Sequence, residues 1–119
     1  MTTSQLPVTE FQECLWLVDY LNILMNQGKI LNYTHFPAST YTKSWGVKMK
    51  NKQIGVKAGF PDYIILTKRG MICPEIKVLK GGYPSPEQKV WIEQLNAIGI
   101  KAKVCKGFLE AKQFVDENI

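Results

Sequence analysis

Apolar positions recur at helical spacing from Val8 to Asn26, where Phe11, Leu15 and Val18 form one row and Cys14, Leu17, Leu21 and Leu24 a second. The two rows together predict a helix with a wide apolar face. Thr9, or Thr3 and Ser4, stands near its start and Gly28 at its stop. Ile30 to Phe36 reads as a short strand ending at Pro37, whereas Ala38 to Ala58 carries too little periodicity for an element and is expected to be a loop or irregular hairpin. Connections of that length in a compact domain are more often functional than inert. Tyr63–Thr67 and Met71–Leu79 are β-rich runs around Lys68-Arg69-Gly70, which predicts an antiparallel hairpin.

After the loop Lys80-Gly81-Gly82-Tyr83-Pro84, a helix start is strongly signalled. Ser85 is the expected N-cap, Pro86 occupies the first helical position, and Gln88 completes a capping box. This helix should run to about Ile98, stop at Gly99, and bury Val90, Trp91, Leu95 and Ile98. Ile100–Cys105 alternates as a strand, and Phe108–Glu117 reads as a terminal helix packing Leu109, Phe114 and Val115. The order helix, strand, strand, strand, helix, strand, helix predicts an α/β fold. The segment from Met71 to Cys105 forms a parallel crossover within a mixed sheet flanked by helices.

A length of 119 residues supports one core, so a single domain over 1–119 is expected. At 45% hydrophobic and 21% charged residues, the composition gives no case for disorder. Polar residues interrupt every apolar run well short of the roughly 18 to 20 positions of a membrane span. Met1 to Gln5 also lacks a secretory pattern, which makes the cytoplasm the default expectation. Cys14, Cys73 and Cys105 are odd in number and widely spaced, as buried thiols would be, and match neither a disulfide framework nor a zinc site.

The net charge of +5 is unevenly distributed. Between Asp19 and Asp62 there is no acidic residue, but Lys29, Lys43, Lys48, Lys50, Lys52 and Lys57 all fall there. Such a field attracts polyanions and binds phosphates through counterion release. It leads directly into Gly59-Phe60-Pro61-Asp62, which the hairpin connects to Glu75-Ile76-Lys77. If Arg69 and Gly70 are the central turn residues, Asp62 lies opposite Lys77 and Ile64 opposite Glu75. With a period of 2, Asp62, Glu75 and Lys77 then share one face. The conclusion needs an even-numbered loop. Pro74, which has no N–H to donate, predicts an edge position or a bulge beside these residues.

Gly59-Phe60-Pro61-Asp62-Tyr63, Glu75-Ile76-Lys77, Lys80-Gly81 and Ser85-Pro86-Glu87-Gln88-Lys89-Val90-Trp91, in this order, resemble the VRR-NUC family of the PD-(D/E)xK nuclease superfamily, in its small single-domain phage and prokaryotic form. The resemblance covers nearly the whole chain. It implies a restriction-endonuclease-like mixed β-sheet with an α-β-β-β-α-β core plus a C-terminal helix. It also implies a DNA endonuclease dependent on Mg²⁺ or Mn²⁺ that acts on branched DNA such as four-way junctions, and a two-fold dimer would suit that substrate. By position, Asp62 and Glu75 would hold the metal with the backbone carbonyl of Ile76, and Lys77 would orient or help deprotonate the attacking water. The helix-borne acid of the family falls on Glu10, with Glu13 as the rival one turn on. Gln88 matches the family glutamine near the site, although the capping box alone accounts for it. Lys43, Lys48, Lys50, Lys52, Lys57 and Lys80 are the expected nucleic-acid contacts. Trp16 and Trp91 are expected in the core, and Trp45 either stacks on a base or packs under its loop. A catalytically silent binding module and a nuclease cutting ordinary duplex are the competing expectations.

Overall fold

The computed structural model describes residues 8–36 and 44–119. The elements are α1 (Glu10–Asn26), β1 (Asn32–His35), α2 (Trp45–Gln53), β2 (Tyr63–Thr67), β3 (Gly70–Lys77), α3 (Pro86–Ala97), β4 (Lys101–Lys106) and α4 (Gly107–Glu117). Among the described residues the strands form one sheet in the order β1-β2-β3-β4. The pairs β1–β2 and β2–β3 are antiparallel, and β3–β4 is the expected parallel crossover around α3.

Each face of the sheet has its own apolar cover. On one side Tyr63, Ile65, Ile72, Ile76 and Cys105 meet Leu17, Leu21 and Leu24 of α1 and Ala111, Phe114 and Val115 of α4. Each of these leucines contributes about 1.5–3 kcal/mol by leaving water. On the other side a smaller cluster joins Cys73, Ala102 and Leu95, with Phe60, Ile64, Met71 and Ile92 around it. In β3 the row on this second face runs Met71, Cys73, Glu75, Lys77, so the small core passes directly into charged chemistry at the strand's end.

Several expectations need correction. α2 replaces part of the expected loop between Ala38 and Ala58: the Ser44 side chain accepts from Val47 N–H, and the residues that follow, apart from Gly46, tolerate a helix. Residues 37–43, Lys43 included, lie outside the described residues, as do Thr3 and Ser4; Thr9 is the N-cap of α1. The hairpin turn is Lys68-Arg69, with Thr67 opposite Gly70. The Thr67 hydroxyl donates to Gly70 O and accepts from Arg69 N–H, which stabilises the earlier closure. The register therefore shifts by two residues, which places Asp62 level with Glu75 and keeps the shared face because the loop length stays even.

Pro74 lies in a central strand instead of at an edge or a bulge. Its missing donor faces β2, where the β2–β3 ladder ends at Ile65–Ile72. Ile76, the next residue pointing that way, gives its N–H to the Asp62 carboxylate at 2.7 Å. The interrupted ladder thus provides the bond that positions Asp62. In the helices, the burial expected of Val90, Ile98, Leu109 and Trp16 is not found, since all four are exposed, and Trp91 is half-buried. Their elements are amphipathic, and the sheet covers only the Leu95 side of α3 and the Phe114 and Val115 side of α4.

Gly59 shows why the site loop needs glycine. It has φ +96°, and a Cβ there would lie 2.7 Å from Glu87 C and 2.8 Å from Gln88 N, in the first turn of α3. Gly55 has φ +92° with open space around it. Gly59→Ala is expected to cost on the order of 3 kcal/mol and Gly55→Ala about 1 kcal/mol, the difference reflecting forced separation of backbones. Thermal unfolding of the two variants checks this, and equal losses would show that the close approach contributes nothing.

Candidate metal centre

Asp62, Glu75 and Glu10 approach from three elements. Asp62 precedes β2, Glu75 projects from the last turn of alternation in β3, and Glu10 opens α1. One carboxylate oxygen from each lies within 4.8 Å of the other two. Lys77 Nζ stands 3.5 Å from Glu75 Oε2, and Gln88 Nε2–H donates to the same oxygen at 2.9 Å. The other end of the Gln88 amide accepts from Ser85 N–H at 2.8 Å, while Gln88 N–H donates to Ser85 Oγ at 3.1 Å. Gln88 therefore closes the capping box and holds Glu75 with the same side chain, so the two explanations of this residue both apply.

Glu75 is 1% exposed, and its second oxygen, Oε1, is buried with no hydrogen-bond partner. Burial, reinforced by the Asp62 charge, pushes Glu75 up to about 8, and Lys77 only partly offsets this. Burial also raises Asp62, opposed by the Ile76 N–H, and raises Glu10 with help from Asp62. Three carboxyls with an orphaned buried oxygen, all resisting ionisation, form a site whose negative charge a bound cation would offset. Their all-oxygen donor set fits a hard divalent ion such as Mg²⁺ or Mn²⁺. Cys14, Cys73 and Cys105 are free, and burial raises all three thiols, Cys73 to about 11 and Cys105 to about 12. None is set up as a thiolate nucleophile.

Between the two acidic candidates on α1, the geometry separates the roles. Glu10 joins Asp62 and Glu75, whereas Glu13 is buried against the start of α4. A Cβ on Gly107 would come within 2.5 Å of Glu13 Oε2. The first turn of α4 has no side-chain cap, and a carboxylate there is favoured by the helix dipole.

The lysines expected to contact nucleic acid divide into groups. Lys48, Lys50 and Lys52 are exposed on α2, Lys57 is exposed between α2 and β2, and Lys80 is exposed in the loop after β3. Two further residues, His35 and Lys106, neighbour the site. His35, opposite Tyr63 with ring centroids 5.0 Å apart, contributes a charge that pulls Asp62 and Glu10 downward against burial. Lys106 is the β4 partner of Lys77, gives its Nζ protons to Gly82 O, and lies 4.1 Å over the Tyr83 ring. It thereby ties down the loop between Lys77 and Gln88. Both positions become visible only once strand pairing is known.

No protein-family model matches the chain, and no curated protein matches it. A solved structure described as a VRR_NUC domain protein is similar to it with a TM-score of 0.66 and 28% identity, over 96% of this chain and 90% of that one. The mixed sheet flanked by helices, with its acidic residues gathered at the end of β3, is thus a nuclease-like α/β fold of the VRR-NUC type.

Proposed function

We propose that this protein is a Mg²⁺- or Mn²⁺-dependent DNA endonuclease that acts preferentially on branched DNA such as four-way junctions. The observation that carries the reading is the meeting of Glu10, Asp62 and Glu75 with Lys77 beside Glu75. Those three carboxylates, with the Ile76 carbonyl, are the proposed metal donors. A bound divalent ion supplies Lewis acidity to a phosphodiester and acidity to coordinated water.

The chain's own groups do the positioning. The Ile76 N–H fixes Asp62, Gln88 fixes Glu75, and α3 fixes Gln88 through Ser85. Lys77, largely buried at the site, would either orient the attacking water as an ammonium, with its charge facing a phosphate oxygen, or take that water's proton as the neutral amine after losing its own. Lys48, Lys50, Lys52, Lys57 and Lys80, with Lys43, would concentrate and track the phosphate backbone. The VRR-NUC likeness supports a nuclease, and the preference for branched substrates follows from the resemblance of the motifs. Paired cuts across a two-fold junction are most simply made by a two-fold dimer, which light scattering with and without junction DNA reads directly.

Calorimetric titration of Mn²⁺ tests the donor set. Glu10→Gln is expected to weaken binding by roughly 10- to 100-fold, and Glu13→Gln by less than about threefold. The reverse ranking would move the metal centre to the other carboxylate and defeat the proposed assembly.

A further inference from the structure

α2 buries no residue and makes no extensive contact with another helix or strand among the described residues. A nine-residue helix held this way is unusual, because helices of this length normally gain their stability by packing. At 3.6 residues per turn, Trp45 and Met49 form one row and Lys48 and Lys52 the adjacent one, so the four share a face. Asn51, on the flank beyond Lys48, is the only half-buried residue of the helix. Trp45 is 74% exposed and therefore does not pack under its loop. The helix has no acidic residue.

The geometry points to this face of α2 as a docking surface for the substrate strand, with the Trp45 indole stacking on an unpaired base and Lys48 and Lys52 holding the phosphates on either side. The inference rests on the nuclease reading for the identity of the polyanion. Three observations favour that occupant. First, the lysine row lies directly beside the apolar row on one face, whereas a helix lying in a membrane interface puts its charged and apolar residues on opposite faces. A stacked base between charged phosphates needs the two kinds of group side by side.

Second, the segment that follows the helix is anchored to the wall of the metal centre. Beyond α2 the chain passes Ala58, whose carbonyl accepts from the Trp91 indole at 3.0 Å, and Gly59, which lies against the first turn of α3. Third, the nine steps from Gln53 to Asp62 span at most about 30 Å, roughly one turn of duplex, so one DNA molecule can occupy both sites. A residue that needs an unstacked base within a turn of the cut would select branch points and flaps over continuous duplex.

Fluorescence anisotropy in EDTA tests this, with a labelled flap DNA and a long blunt-ended duplex of the same sequence. Trp45→Ala should weaken flap binding by roughly 5- to 100-fold and duplex binding by less than about twofold, while Trp45→Phe stays near wild type. Lys48→Ala with Lys52→Ala should weaken both DNAs alike and reduce the log–log salt slope by about 1.5 to 2. Because Trp45 is exposed, the variants should melt within about 2 °C of wild type. Equal loss on both DNAs, or no loss, overturns the inference. So does Trp45-dependent binding to phosphatidylserine vesicles with none to DNA. Cleavage assays separate the two readings: unchanged DNA binding by Trp45→Ala in a protein that cuts defeats only the docking surface. Trp45-dependent binding in a protein that cuts under no metal defeats only the nuclease.

Discussion

Replacing Glu75 with glutamine is expected to stabilise the metal-free protein at pH 8 while abolishing its activity. In the folded chain Glu75 is held up at about 8 by burial and by Asp62, against an ordinary value of 4.5. Unfolding releases that constraint. From about pH 4.5 upward the unfolded chain loses its proton while the folded chain keeps it, so stability falls as pH rises and levels off above about pH 8. At about 1.4 kcal/mol per pKa unit, a rise from 4.5 to about 8 corresponds to a loss of up to about 5 kcal/mol.

Glu75→Gln removes the titration. The new amide keeps an acceptor for Gln88 and Lys77 and gains a donor toward Asp62, so it mimics the protonated acid. The variant should melt within a few degrees of wild type near pH 5 and up to roughly 20 °C above it at pH 8, both in EDTA. Saturating Mn²⁺ should raise the stability of the wild type at pH 8 by about 2.7 kcal/mol at a hundred times Kd, and that of the variant far less. A wild-type melting temperature flat from pH 5 to 8 would show that Glu75 ionises freely, and the acidic cluster would then not be a strained cation site.

Lys77→Ala should reduce the cleavage rate by about 10²- to 10⁴-fold and leave DNA affinity within about twofold. The residue is largely buried, and its one ion-pair partner among the described residues is Glu75 at 3.5 Å, so it contributes little to the outer phosphate-binding surface. Lys77→Arg refines the test. Arginine keeps the charge but does not release a proton, and its planar fork needs more room. Full activity in Lys77→Arg would show that charge alone suffices. Activity that stays low in both variants fits a lysine that orients or deprotonates water. Quenched-flow cleavage with DNA in excess of Kd measures the rate apart from binding.

Local signals brought Asp62, Glu75 and Lys77 together in advance because these residues are close in sequence. Asp62, Glu75 and Lys77 lie on two strands joined by a two-residue turn, and period-2 alternation places them on one face even though the turn falls one residue earlier than expected. The capping box at Ser85 likewise fixed Gln88 near its true position. Glu10 was separable from Glu13 only in three dimensions, because one helical turn decides whether a carboxylate reaches Asp62 or the start of α4.

Residues whose roles depend on nonlocal pairing were not legible. His35 and Lys106 meet the site through the β1–β2 and β3–β4 registers, which no local pattern specifies. α2 was missed for a different reason: it buries nothing, so it lacks the apolar periodicity by which helices are recognised. The apolar residues of α1, α3 and α4 were read as facing the core, but the sheet covers only one stripe of each helix and leaves Phe11, Val90 and Leu109 in solvent.

The most direct measurement is cleavage of end-labelled single-stranded, duplex, flap and four-way DNA by the wild-type protein in EDTA, Mg²⁺ or Mn²⁺. The carboxylate centre of Glu10, Asp62 and Glu75 predicts cutting only with a divalent ion, stopped by EDTA, with branched DNA cut fastest. Binding of all four DNAs with no cutting under either metal would contradict the nuclease assignment and leave a nucleic-acid-binding module on a nuclease-like fold.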